Sequence, residues 1–198
     1  YHANALAFSP DGSLLAVGDG GKDVHIYDIR SRKERMVLKG HRDGVLRLAS
    51  FPDGRRIVSA SADGELVVWD LSSGLILFRR LVSENAVVGL ATSPDGQRLA
   101  WTTGSSVHIL TLSTQQEIQI EEPERYWSCA PVFSPDGAFL ACGGLDHQVR
   151  IWNVVTGKAT RVLHGSRDEI WSIAYTPGGR KLVTGAKDGS LKVWNVEE

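Results

Sequence analysis

Residues 40–81 read GHRDGVLRLASFPDGRRIVSASADGELVVWDLSSGLILFRRL, and the fold is decided here. VLRLAS (45–50) is a strand-like run closed by Phe51-Pro52-Asp53-Gly54, where proline presets φ and glycine accepts a positive φ. RIVSAS (56–61) is a second strand, and Ala62-Asp63-Gly64 makes a tight turn. ELVVWDL (65–71) is a third, its Val, Val and Trp suited to a pleated surface. Ser72-Ser73-Gly74 then turns the chain into LILFRRL (75–81), the fourth strand of an antiparallel meander.

The same unit is written five times. The turn phrase recurs as FSPDG (8–12), FPDG (51–54), TSPDG (92–96), FSPDG (133–137) and YTPGG (175–179). Its prolines, Pro10, Pro52, Pro94, Pro135 and Pro177, stand 42, 42, 41 and 42 residues apart. The third-strand phrase follows each one: VHIYDI, LVVWDL, VHILTL, VRIWNV and LKVWNV. A period of this length marks a repeat architecture. One four-stranded sheet cannot bury both its apolar faces, whereas sheets stacked around an axis bury each face against a neighbour. No window sustains apolar residues at the helical period. The expected fold is all-β: a β-propeller of five tandem four-stranded blades. They cover about 1–39, 40–81, 82–120, 121–163 and 164–198, the last lacking its outermost strand.

Composition narrows the function classes. Of 198 residues, 22 Lys and Arg face 23 Asp and Glu, a net charge of −1, so the basic excess that phosphate neutralisation demands is missing and nucleic acid is not an expected partner. No apolar run approaches the roughly 20 residues that span a bilayer, and no membrane association is expected. The two cysteines, Cys129 and Cys142, fall on opposite faces of a simple hairpin around Pro135. No disulfide is expected, which suits a reducing compartment, the cytoplasm. The chain opens on Tyr1 rather than methionine, so it reads as a domain or piece of a longer polypeptide.

The combination of Gly40-His41, a Pro-Asp-Gly turn, an Asp-Gly turn and Trp69-Asp70 resembles the WD-repeat propeller family across essentially the whole chain. The FSPDG style resembles its prokaryotic members. The resemblance implies a buried side-chain relay in each blade, matched in full by His41, Ser59, Asp63 and Trp69 of repeat two. Repeat five keeps Thr184, Asp188 and Trp194, with Ser166 in place of the histidine. Repeat four keeps Asp146 and Trp152, with Cys142 in place of the hydroxyl. Repeats one and three carry Val17 and Tyr27, and Trp101 and Leu110, at the corresponding places. Blade two is therefore expected to be the most rigid and blade three the least regular.

The family also implies a partner-binding face near the channel mouth. Carried over by position, its candidates here are Trp127, Trp171, Leu46, Cys129, Glu169 and Lys187. Tryptophan in a recessed patch is a good anchor. The same two indoles equally suit packing between blades, and both readings stay open at this point. The acidic run EEPERYW (121–127) reads as a solvated loop or a contact for a basic partner.

Nothing in the sequence points to catalysis. The innermost strands read ALAF, LRLAS, VVGLAT, CAPVF and WSIAY, and Arg47 is their only charged residue. GxSxG, P-loop and HExxH motifs are absent, the six histidines show no metal-ligand spacing, and no cofactor is expected. The expected function is a non-catalytic scaffold that binds a protein or peptide. The alternative is a sensor or regulatory domain of a larger signalling protein. A three-stranded last blade leaves an open edge, a template for self-association or strand donation. Three readings of it stand: a fragment of a larger ring, a closed five-blade ring with an exposed edge, or an arc completed by another chain.

Overall fold

The five proline turns, four Pro-Asp-Gly and one Pro-Gly-Gly, close by similar local chemistry. In each a glycine sits at positive φ, from 66° at Gly54 and Gly96 to 73° at Gly179. In four of the five, the turn aspartate accepts from a backbone N–H two residues on, as from Ser13 to Asp11 and from Arg55 to Asp53. These turns cut the chain into short antiparallel strands. The computed structural model describes residues 2–83, 86–104, 106–121 and 130–196.

Five antiparallel sheets result, with four, four, four, four and three strands. Blade one holds β1 (Ala3–Phe8), β2 (Leu14–Asp19), β3 (Val24–Asp28) and β4 (Lys33–Leu38). Blade two holds β5 (Val45–Ser50), β6 (Arg56–Ser61), β7 (Glu65–Asp70) and β8 (Ile76–Leu81). Blade three holds β9 (Gly89–Thr92), β10 (Arg98–Thr103), β11 (Ser106–Thr111) and β12 (Glu117–Glu121). Blade four holds β13 (Val132–Phe133), β14 (Phe139–Gly143), β15 (Val149–Asn153) and β16 (Ala159–Leu163). Blade five holds β17 (Ile170–Tyr175), β18 (Lys181–Ala186) and β19 (Leu191–Asn195). In every sheet the strands lie in sequence order. Blade three is a complete meander; the shortest strand among the described residues is β13, in blade four.

The chain forms two compact units, Tyr1–Thr92 and Ser93–Glu198. In the first, Leu14, Ala16, Val24, Ile26 and Leu38 of blade one pack on Val45, Ile57 and Trp69 of blade two. In the second, Ala141, Val149 and Ile151 of blade four pack on Ile170, Leu182 and Trp194 of blade five. The positions correspond: each interface joins one face of a blade to the tryptophan-bearing face of the next. Burying a side chain of this size contributes about 1.5–3 kcal/mol, so these seams are the main source of stability. No helix of the described residues is long and apolar enough to cross a membrane.

Candidate functional site

Blade two carries a line of polar side chains through its core. Trp69 Nε1 on β7 donates to Ser59 Oγ on β6 at 2.8 Å, and that hydroxyl lies 2.7 Å from His41 Nε2. His41 Nδ1 faces the Asp63 carboxylate at 3.4 Å. With the imidazole proton on Nδ1, toward Asp63, Nε2 would accept from the Ser59 hydroxyl. Burial pushes the His41 pKa down, and Asp63 offsets only part of that. Burial alone would raise the Asp63 pKa, yet the backbone N–H groups of Arg42 and Glu65 hold it below the usual range.

The other blades satisfy themselves differently. In blade five, Trp194 Nε1 donates to Thr184 Oγ1 at 2.9 Å, Asp188 accepts from the Ser190 N–H, and Ser166 donates to the Asp168 carbonyl. In blade four, Asp146 pairs with Arg150 at 2.6 Å, and Cys142 and Trp152 are buried. Blades one and three share a second network that sequence reading missed. His108 on β11 bridges Glu117 Oε1 on β12 (2.8 Å) and Thr103 Oγ1 on β10 (3.2 Å). It also stacks on Trp101, with ring centroids 5.0 Å apart. At the equivalent place His25 bridges Glu34 (2.8 Å) and Asp19 (3.5 Å). The signal was the shared nine-residue interval, His25 to Glu34 and His108 to Glu117, across the third and fourth strands.

Of the candidate face, Trp171, Glu169 and Lys187 come together. Trp171 is 61% exposed and its Nε1 donates to Glu169 Oε2 at 3.1 Å. Lys187 Nζ reaches Glu169 Oε1 at 3.0 Å and lies 6.0 Å from the indole centroid. The Lys187 ammonium and the indole N–H hold the Glu169 pKa below its usual value, and Glu169 raises that of Lys187. The backbone sets where this side chain leaves the strand. β17 slips by one residue against β18 between Ile170 and Ser172, so Trp171 is the extra residue of a β-bulge. Leu46 and Asn4 occupy the same bulge on β5 and β1. Leu46 is half-buried and belongs to the first unit. Trp127, Cys129 and the run 122–126 lie outside the described residues.

Other polar groups are engaged internally. Arg47, its pKa lowered by burial, donates to the carbonyls of Val88 and Leu46. His41, Asp63 and Glu65 each bring one potential metal-ligand atom within 4.8 Å of the others. Arg79 Nη1 stands 3.6 Å from Glu65 Oε2, so a cation placed there meets a guanidinium, and the relay already uses the other two.

Stacked four-stranded meanders with an indole–hydroxyl–imidazole relay define the class as a WD-repeat β-propeller. The chain belongs to the family described as the IFT122 first beta-propeller, matched over residues 2–198. It is 28% identical over 172 residues to the intraflagellar transport protein 122 homolog of Danio rerio, covering 86% of this chain and 14% of that protein. It is 30% identical over 161 residues to the small ribosomal subunit protein RACK1y of Oryza sativa subsp. japonica, covering 76% of this chain and 47% of that one. Among solved structures, the Cps50 (Swd1) β-propeller domain of Myceliophteria thermophila superposes with a TM-score of 0.89 at 20% identity. That likeness covers all of this chain and 66% of the solved one, and it shows the fold. The chain thus spans less than half of either named relative. Both are eukaryotic, which leaves the prokaryotic look of the turns without support.

Proposed function

We infer that the chain is a non-catalytic interaction module that binds a protein or peptide on the face presented by Trp171, Glu169 and Lys187. One observation carries this: a tryptophan, a residue type enriched at binding hot spots, stands 61% exposed at a bulge and is oriented by a hydrogen bond to a carboxylate. A solvated indole fixed in this way is preorganised, so binding loses less side-chain entropy. Lys187 and Glu169 flank it with one charge of each sign, which suits an extended peptide carrying an apolar anchor beside polar groups. Cytoplasmic residence is part of the reading, supported by the sparse cysteine content.

The test is selection of binders from a random peptide display library, followed by affinity measurement against Trp171→Ala. Loss of about 2 kcal/mol, roughly 30-fold, is expected with the thermal unfolding profile unchanged. Peptides that bind the variant as tightly as the parent would place the site elsewhere.

A second reading rests on β19. Its outer edge has no strand partner among the described residues. Beside blade five lies a cavity of about 660 Å³ whose lining includes Phe139, Ile151, Arg161, Tyr175 and Val196. An edge of this kind accepts an added strand, so strand donation by a partner fits it.

A further inference from the structure

One position on the third strand changes chemistry from blade to blade. Paired with Val17, Ser59, Trp101, Cys142 and Thr184 of the second strands, it holds His25, Val67, His108, Arg150 and Lys192 in turn. At His25 the imidazole faces two carboxylates, Asp19 and Glu34. At His108 it faces one carboxylate and two alcohols. Nδ1 lies 2.8 Å from Glu117 Oε1, while Ser106 Oγ and Thr103 Oγ1 stand 3.0 and 3.2 Å from Nε2.

A hydroxyl, an imidazole and a carboxylate joined by hydrogen bonds form the arrangement that activates an alcohol as a nucleophile. With the imidazole proton on Nδ1, toward Glu117, Nε2 is left to accept the proton of Ser106. The Ser106 hydroxyl has a second acceptor in the Thr103 carbonyl at 3.2 Å, and rotation about Cβ–Oγ moves its proton between the two. Trp101 backs the ring, its centroid 5.0 Å away and its plane 3° from parallel.

The same three residue types meet in blade two, and the contrast decides what each set can do. Ser59 is wholly buried, and its oxygen accepts from the Trp69 indole as well as facing His41. In blade three the Trp101 indole N–H has no partner among the described residues, so it takes up neither hydroxyl. Ser106 is only half-buried and stands beside the exposed Gly104. A Cβ on Gly104 would meet nothing within 4 Å, which leaves that side of the turn open to a small acyl group.

We propose that Ser106 is a modification site, a nucleophilic serine that takes an acyl group from an activated ester, with His108 as its base and Glu117 as the positioning residue. Ser106 Oγ bonds to the carbonyl carbon of the ester as its proton passes to His108 Nε2. The bond from that carbon to the leaving oxygen breaks, and the departing oxyanion takes the proton from Nε2. The products are an O-acyl serine and a free alcohol or phenol. One acyl group is consumed per chain, without turnover, so the site stands beside the interaction reading and does not use the Trp171 surface.

Acetylation of the whole chain with p-nitrophenyl acetate, followed over time by peptide mapping, tests it. Ser106 should gain an acetyl group roughly 100-fold faster than the exposed Ser13 and Ser72, the factor that a positioned base supplies. His108→Gln should bring Ser106 down to the rate of those serines. Glu117→Ala should also slow it, and Glu117→Gln, which still offers an oxygen to Nδ1, should restore part of the rate. Circular dichroism checks the fold of each variant, and the comparison of serines within the parent needs no variant at all. A Ser106 that reacts no faster than Ser13 and Ser72 overturns the proposal. So does acetylation of Thr103 in its place, or a folded His108→Gln in which Ser106 keeps the parental rate.

Discussion

The Trp69 indole N–H donates to the Ser59 hydroxyl at 2.8 Å inside blade two, where the Trp69 residue is 1% exposed and Ser59 wholly buried. The same oxygen faces His41, so one hydroxyl satisfies two buried groups on different strands and loops. A buried polar group stripped of its partner keeps its full desolvation cost. Ser59→Ala strands both the indole and the imidazole, and it should cost roughly 2–4 kcal/mol in urea unfolding. Thr184→Val in blade five strands only the Trp194 indole and should cost about 1–2 kcal/mol. Equal losses would show that the histidine adds nothing to the relay.

Because burial holds the His41 pKa below the ordinary histidine value of about 6.5, the folded state binds this proton less readily than the unfolded chain does. Stability from this residue is therefore complete above about pH 6.5 and falls as the pH drops below it. The Asp63 pKa is also depressed, so that carboxylate stays charged through the same window. The urea midpoint of the parent should fall between pH 7 and pH 5.5. His41→Gln should be less stable at neutral pH but flatter over that interval. An equally steep acid slope in the variant would assign the effect to other residues.

The strands and turns were legible because they are written in short-range chemistry. The Pro-Asp-Gly phrase specifies a positive-φ glycine at a fixed place, and alternating β-branched residues specify the strands between. The relay of blade two was legible for the same reason: its four residue types stand at the positions the family uses. The bulge at Trp171 was not, because an extra residue in a strand leaves no compositional trace and appears only as a register slip against β18.

The histidines of blades one and three offer a comparison at two depths. The His108–Glu117 pair is mostly buried, its side chains 7% and 22% exposed, whereas those of His25 and Glu34 are 25% and 43% exposed. Removing one partner of a buried pair leaves the other desolvated, while solvent-facing pairs contribute little. Glu117→Ala should lower stability by about 1–3 kcal/mol and Glu34→Ala by less than about 1 kcal/mol. Chemical denaturation of the two variants at one pH decides it. A larger loss at Glu34 would mean that the outer network, not the one stacked on Trp101, carries the stability.

Gly64 and Gly189 hold the same turn position in blades two and five, at φ of 79° and 80°. Their surroundings differ. A Cβ on Gly64 would stand 1.9 Å from the Ser83 carbonyl oxygen, in the segment that follows β8, whereas nothing lies within 4 Å of one on Gly189. The Val82 N–H also donates to the Gly64 carbonyl, tying the turn to the end of the fourth strand. Gly189→Ala therefore meets only the left-handed backbone penalty and should cost about 1–2 kcal/mol. Gly64→Ala meets that penalty and must also displace Ser83, so about 3 kcal/mol or more is expected. The difference measures how tightly a fourth strand closes over the turn. A partner strand added along β19 should crowd Gly189 in the same way, making Gly189→Ala costlier in the bound state than in the free chain. If the two substitutions cost the same in the free chain, the Ser83 contact is too soft to define the blade.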